Sequence, residues 1–360
     1  MKDIKKCVKI KIITPVHIGN GVILQEGIDF VKDGKKFIVV DIDKALKSVG
    51  KDERKIQELV TAIERKKSLR EIFPHIHFEN VAKRFIFIEG EGLNYNSLKE
   101  TIHDAIGYAY IPGSSIKGAI RSAILGTLAL KEKFVVSSVR DGDKEMTDHF
   151  VGNPNTDFMR FIQVSDAYFE GDFEIAIKAA CINQNESTNW VDGKIKQTVE
   201  AIKPGSVTEF TIKLAAEYNC WAAKQKNDKD NVKKLPEECS SFEQLFETIN
   251  NHTCRLIDEE IKFWKKQTDD CNDCNDYLEA LDDIKNRIDG CQKGKECILR
   301  VGFGSGWSFI TGGWIYGKGR NDAAREIRKK PYYHHYPFPK SRRISGQNCA
   351  PLGFVKLSLK

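Results

Sequence analysis

Residues 111–125 read IPGSSIKGAIRSAIL, and the fold turns on what they build. A rigid Pro-Gly turn runs into two serines, a lysine, a stretch of small and apolar residues, and an arginine. Gly113 gives the chain an unhindered turn and Ser114 or Ser115 is a good N-cap, so a helix is expected from about Ser114 to about Leu130. Three chemistries could want Ser114, Ser115, Lys117 and Arg121 at the start of that helix. They are a nucleotide-phosphate loop, a serine nucleophile with a lysine base, and a site for an RNA backbone.

The first two fail on their neighbours. Gly113 and Gly118 have the gap of a P-loop, but Ala119-Ile120 stand where Lys-Ser/Thr is required to hold the outer phosphates and magnesium. Ser114-x-x-Lys117 matches the nucleophile motif of penicillin-recognising enzymes, and Ser165-Asp166-Ala167 and Thr311-Gly312-Gly313 follow in the right order. Ala167 in place of Asn and Ile310 in place of Lys remove the side chains that orient the proton shuttle and bind the substrate carboxylate. The third chemistry survives. Free N–H groups and the positive helix end favour an anion, while Lys117 and Arg121, one turn apart, add charge on one face. Ser114 and Ser115 can donate hydrogen bonds to phosphate oxygens. Ordinary capping with a surface ion pair is the plain alternative.

Outward from this helix, the 360 residues are long enough for two domains. The N-terminal MKDIKKCVKIKIITP alternates lysine with apolar residues, as a strand does, and has no apolar signal-peptide core. No run approaches a membrane span, so a cytoplasmic protein is expected. Its ten cysteines are expected to be reduced. Residues 221–297 carry 13 Lys and Arg against 18 Asp and Glu, a net of −5 within a chain of +6, so the remainder carries +11. That asymmetry points to a polyanionic partner, with the acidic stretch as a solvated side element.

Two β-rich runs around Asp33-Gly34 predict a hairpin, and ERKIQELVTAIERKKSLREIF an amphipathic helix. FIQVSDAYF (161–169) and DFEIAIKAACI read as strands, and IKPGSVTEFTIKLAA as the opening strand of a second domain. A helical region from SSFEQLFETIN to DIKNRID includes the acidic segment. The fold class is therefore α+β, with domains at 1–170 and 171–360 and a helical insertion at about 221–297.

CILRVGFGSGWSFITGGW is expected to be a strand breaking into a glycine-rich loop. There Gly302, Gly304, Ser305 and Gly306 bring N–H groups close to phosphates and Trp307 offers a stacking face. The basic stretch 318–343 interleaves cations, among them Lys340, Arg342 and Arg343, with the rings of YYHHYPF, as in single-stranded nucleic-acid grooves. His17, in a glycine loop, is a candidate for RNA contact; the enzymatic alternative makes it the general base of a metal-independent endoribonuclease that processes guide precursors. Cys271, Cys274, Cys291 and Cys297 resemble a zinc spacing, but their second pair is too widely spaced, and neither a metal nor a cofactor is expected. His75, His77, His334 and His335 have no evident companions.

Taken in order, ITPVHIGNG (within 12–21), YIPGSSIKGAIRSAIL (110–125), FIQVSDAYF, GFGSGW…TGG (302–313) and PKSRR…PLGFVKL (339–357) look like a RAMP protein of the CRISPR systems. The serine-lysine helix and the glycine loop are common to RAMP proteins. The Pro-Lys-Ser-Arg-Arg tail resembles that of the fifth subunit of type III-A Csm effector complexes. The resemblance implies two modified RRM-like (ferredoxin-like) RAMP domains in a non-catalytic RNA-binding subunit. Such a subunit caps the filament at the 3′ end of the guide RNA and is needed for maturation of that end. The partners implied are guide and target RNA and the other RAMP subunits, with a trimming ribonuclease as a further candidate. The family's RNA-binding residues carry over onto Ser114, Ser115, Lys117, Arg121, Gly302, Gly304, Ser305 and Gly306.

Overall fold

The lysine-apolar alternation at the N-terminus makes a half-buried strand, with Val8, Ile10 and Ile12 inward and Lys9 and Lys11 outward. The structure, a computed structural model, describes residues 3–50, 53–65, 67–136, 142–171, 174–183, 197–225, 232–266, 272–309 and 341–360. Its strands begin with β1 (Ile4–Ile12), β2 (Gly19–Gln25), β3 (Phe30–Asp33), β4 (Lys36–Val40), β5 (Ala82–Glu89), β6 (Ser97–Thr101) and β7 (Ala109–Ile111). They continue with β8 (Ile162–Val164), β9 (Ala167–Phe169), β10 (Glu174–Asn183), β11 (Gln197–Ile202), β12 (Val207–Leu214), β13 (Glu296–Arg300), β14 (Ser341–Ser345) and β15 (Phe354–Leu359). The helices are α1 (Ile42–Val49), α2 (Glu53–Glu64), α3 (Leu69–Ile72), α4 (Gly113–Lys131), α5 (Gly142–Met146), α6 (Ala216–Ala222), α7 (Phe242–Lys265), α8 (Asn272–Asp289) and α9 (Gly306–Phe309). Helices and sheets mix along the chain, an α+β fold.

One sheet has the order β13-β15-β1-β12-β8 and the other β2-β6-β11-β10-β5-β4-β3, with β14 continuing beside β10. Both take strands from either side of residue 170, so a division there does not coincide with the division between sheets. The stretch expected to open a second domain is β12, which lies beside the N-terminal strand with Val8 opposite Phe210. Long-range pairing of this kind has no local signature. The hairpin at Asp33-Gly34 forms as expected, with Asp33 opposite Lys36.

Three local expectations are corrected. The amphipathic stretch is broken into α2 and α3, because Ser68 and Glu71 close a capping box that starts a new helix. FIQVSDAYF is not one strand: a 3-10 turn (Phe158–Phe161) leads into β8, and β9 departs to pair with β7. The acidic insertion is not a solvated side element as a whole. In α7 twelve side chains are buried, Leu245, Ile249, Leu256 and Trp264 among them, and this helix packs between α4 and β13. Its close approach to α4 leaves no room at Gly126, where a Cβ would lie 2.4 Å from the His252 ring. In α8 the acids are on the outside: Asp276, Glu279, Asp282 and Asp283 are exposed, while Tyr277, Leu281 and Ile284 join the main core.

Candidate nucleic-acid interface

The serine-lysine helix begins one residue earlier than expected. Pro112 (φ −56°, ψ 136°) is its N-cap, and Ser114 and Ser115 fall inside the first turn. Gly113 is required there, since a Cβ would lie 2.3 Å from the Val164 carbonyl oxygen and 2.9 Å from that of Ser165. The close approach also explains the break in FIQVSDAYF. Asp166 Oδ1 accepts a hydrogen bond from the Gly113 N–H at 2.6 Å, and Ser165 Oγ accepts one from the Thr211 N–H at 2.9 Å. The Ser115 and Ile116 amides donate to the Pro112 carbonyl. These early amides are therefore engaged within the protein, and Asp166 already places a carboxylate at the helix start. Hydroxyls and cations remain for an outside anion. Ser114 is exposed, and Ser115, Lys117 and Arg121 are half-buried. Burial lowers the Lys117 pKa and the charge of Asp157 opposes it. The Arg121 guanidinium reaches Thr147 Oγ1 at 3.5 Å.

Beside this helix start are two side chains that the sequence reading passed over. Tyr110 on β7 and Tyr168 on β9 are register partners, and their rings stack with centroids 5.2 Å apart. Tyr168 is 40% exposed and donates its hydroxyl to Asp166 Oδ2 at 3.2 Å. The signal was available: each tyrosine sits between two buried apolar residues, at the outward position of a period-2 strand. A flat aromatic surface thus adjoins two hydroxyls and two cations.

The glycine-rich loop sits on a different support. Gly302 (φ 74°) has no room for a side chain: a Cβ would lie 2.5 Å from Ile18 Cδ1 and 2.6 Å from the His17 carbonyl oxygen. The Phe303 N–H donates to that same carbonyl at 2.9 Å, and the His17 and Phe303 rings meet edge to face. Arg300, buried at the end of β13, donates to the carbonyls of Gly304 and Leu352, both at 2.9 Å. It is a third residue the sequence reading missed, since a cation closing an apolar strand gives no hint of its partners. The Ser305 hydroxyl turns inward to the Gly302 carbonyl at 2.8 Å, and Trp307 is half-buried against the main core. These contacts make the loop a packed turn, so the expected phosphate cradle and open stacking face are not its geometry.

His17 is 3% exposed. Its Nδ1 lies 2.6 Å from the Glu200 carbonyl, which can only accept, so that nitrogen carries the proton. Burial pushes the imidazole below its ordinary pKa, the Glu200 carbonyl works against this and Lys99 adds to it. A base for RNA cleavage must reach the 2′-hydroxyl, and a side chain enclosed between the sheet and the glycine loop does not. Arg342 is likewise internal: its guanidinium holds Glu260 on α7. Arg343, its neighbour, is half-buried beside Gly304, and its Nη1 is buried without a hydrogen-bond partner among the described residues. Lys340, YYHHYPF with His334 and His335, Thr311-Gly312-Gly313 and Cys271 lie outside the described residues. Among the described residues no cysteine belongs to a cluster of three or more potential metal ligands. Burial lifts the Cys297 thiol well above its ordinary pKa. His75 and His77 line an open cleft of about 1170 Å³ between α2 and α3. No helix among the described residues is long and apolar enough to cross a membrane.

The family model of the RAMP superfamily matches residues 9–322. A curated protein of Streptococcus thermophilus, "CRISPR system Cms protein Csm5", is 30% identical over 146 residues, which cover 35% of this chain and 40% of that protein. A chain in the cryo-EM structure of a Csm-crRNA-target RNA ternary complex of a type III-A CRISPR-Cas system matches 99% of this chain and 100% of its own length, with TM-score 0.68 and 20% identity. The crystal structure of T. onnurineus Csm5 matches 96% of this chain and 99% of its own, with TM-score 0.64 and 19% identity.

Proposed function

This chain belongs to the RAMP superfamily, and from that membership we propose that it is an RNA-binding, non-catalytic subunit of a type III-A Csm complex. In this reading it caps the filament at the guide RNA's 3′ end in the cytoplasm, and its partners are guide RNA, target RNA and other RAMP subunits. Two modified RRM-like units, divided near residue 170, belong to the same reading. The observation that carries the reading is the start of α4. Ser114, Ser115, Lys117 and Arg121 lie on one helix beside the stacked Tyr110–Tyr168 pair. Cations and hydroxyls suit an RNA backbone, and an exposed ring suits an unpaired base.

The likeness to Csm5 proteins supports the capping position and the role in guide 3′-end maturation. The acidic outer face of α8 is the surface on which a trimming ribonuclease would dock, by charge complementarity.

The test is a salt titration of RNA binding by the purified chain and by the Lys117→Glu/Arg121→Glu variant. We expect weaker binding and a slope of log K against log[salt] shallower by about 1 to 2, since each lost phosphate contact removes about 0.7 on a single strand. An unchanged slope would remove α4 from the interface. Co-purification of short RNAs with a shared 5′ handle and of other RAMP proteins tests the complex itself.

A further inference from the structure

One face of the larger sheet carries a buried cluster that the RNA-binding surface does not use. By register, Arg84 on β5, Glu100 on β6, Glu174 on β10 and Glu200 on β11 share that face, and His103 follows directly after β6. Arg84 meets Glu200 Oε1 at 2.9 Å and Oε2 at 3.2 Å, and Glu100 Oε1 at 2.7 Å. Asn20 donates to Glu100 Oε2, and the Thr101 N–H donates to Glu200 Oε2. Glu200 is fully enclosed, and Arg84 is its charged partner on this face. Arg84 thus pairs with Glu100 and Glu200, and the third carboxylate, Glu174, lies beside His103 instead. Glu174 and Glu200 are buried, and an unbalanced charge at such depth costs several kcal/mol.

His103 is the second observation. Its side chain is 9% exposed, and neither ring nitrogen has a hydrogen-bond partner among the described residues. Its Nε2 points between two carboxylates, 3.6 Å from Glu174 Oε1 and 3.7 Å from Glu200 Oε1. Those separations are too long for hydrogen bonds. They are close to the spacing of two donors on one ion, since ligands ~2.1 Å from a tetrahedral metal lie ~3.4 Å apart. Donor atoms of Glu100, His103 and Glu200 all lie within 4.8 Å of one another, the one such group among the described residues. A buried imidazole with both nitrogens idle calls for an explanation, and a cation between it and two carboxylates supplies one.

We propose that Glu100, His103 and Glu200, with Glu174 beside the imidazole, bind one divalent first-row transition-metal ion of the zinc or manganese type. One imidazole and carboxylate oxygens are donors suited to such ions. The role is structural. Ligands from β6, the segment that follows it and β11 would be tied together, and the Glu200 carbonyl also meets the His17 ring nitrogen. The site is independent of RNA binding at α4.

The experiment titrates metal-stripped full-length protein with Zn²⁺, Mn²⁺ and Co²⁺, and follows binding by calorimetry, the Co²⁺ spectrum and the thermal midpoint. We expect one equivalent bound, d–d bands without thiolate charge transfer, and a higher midpoint with metal. His103→Gln should bind about a hundredfold more weakly, and Glu100→Gln should weaken binding as well. Failure of all three ions to bind would overturn the proposal and leave a proton as the missing positive charge. A thiolate band, or unaltered affinity in both variants, would overturn it by placing the ion elsewhere. Because the Co²⁺ spectrum is read on the unsubstituted chain, the test stands even if a variant does not fold.

Discussion

The Arg342 guanidinium grips the Glu260 carboxylate with two N–H···O bonds, Nε to Oε1 at 2.5 Å and Nη2 to Oε2 at 2.8 Å. Trp264 and Tyr277 donate to Glu260 Oε1 as well, at 2.9 and 2.8 Å. This fully satisfied network joins the acidic insertion to the basic tail inside the core. The charge contrast along the sequence thus has an internal component as well as a field at the surface.

Removing one member should be costly. Glu260→Gln leaves a buried guanidinium without its counter-charge, and a loss of about 3–5 kcal/mol is expected in urea unfolding, with little dependence on salt. Burial raises the Glu260 pKa, but the charge and hydrogen bonds of Arg342, with those of Tyr277 and Trp264, outweigh it and hold the carboxyl below its ordinary value. The folded value is lower than the unfolded one, so this contribution is complete above about pH 4.3 and is lost as pH falls below it. The variant's deficit should shrink over that acid range.

The insertion's place in the core gives a second expectation. Deleting 221–297 would remove α7 with its twelve buried side chains and should abolish cooperative unfolding. Replacing Asp276, Asp282 and Asp283 on the exposed face of α8 with lysine should change stability by no more than about 1 kcal/mol. Guide 3′ ends recovered with that charge-reversed chain test the docking of a trimming enzyme without unfolding the protein. Normal ends would rule the α8 face out.

How far the sequence spoke depended on whether the signal was local. β1, the Asp33-Gly34 hairpin, α4 and α7 carry their period or turn chemistry within a few residues, and all four formed as expected. Arg342 was misplaced because a basic residue in a basic tail does not disclose a carboxylate 82 positions earlier. His17 stood out as a glycine-loop histidine, yet burial by the Gly302 turn arises from chain segments far apart. The Gly113 requirement was legible as an unhindered turn, but its cause, the Val164 carbonyl across the gap, was not.

Histidine burial predicts acid sensitivity. Enclosure in the α4–α7 contact pushes His252 down to about 3, and Arg255 adds to the effect. The unfolded chain therefore binds a proton that the folded chain refuses, and the stability is whole above about pH 6.5 and falls as pH drops toward 3. Near pH 5 the loss should approach about 2 kcal/mol from this side chain. His17, lowered in the same direction, adds to the slope. Unfolding free energies at pH 7 and pH 5 for the wild-type chain and His252→Gln check it: the variant should show the shallower drop. Equal drops would assign the acid sensitivity to other groups.

The stacked tyrosines give the sharpest test of the α4 surface. Tyr168 is exposed, its ring lies against Tyr110, and its hydroxyl is tied to the same Asp166 that receives the Gly113 N–H. Stacking of one base on such a ring contributes about 1–3 kcal/mol, with little dependence on sequence. Tyr168→Ala should therefore weaken single-stranded RNA binding roughly tenfold or more, for every base composition alike. Its salt slope should stay that of the parent, because no phosphate contact is removed. Tyr168→Phe keeps the ring and loses only the bond to Asp166, so it should retain most of the affinity. Losses of equal size in both variants would mean that the hydroxyl's hold on Asp166, and through it the helix start, matters more than stacking. Parental affinity in Tyr168→Ala would take this face out of the RNA path.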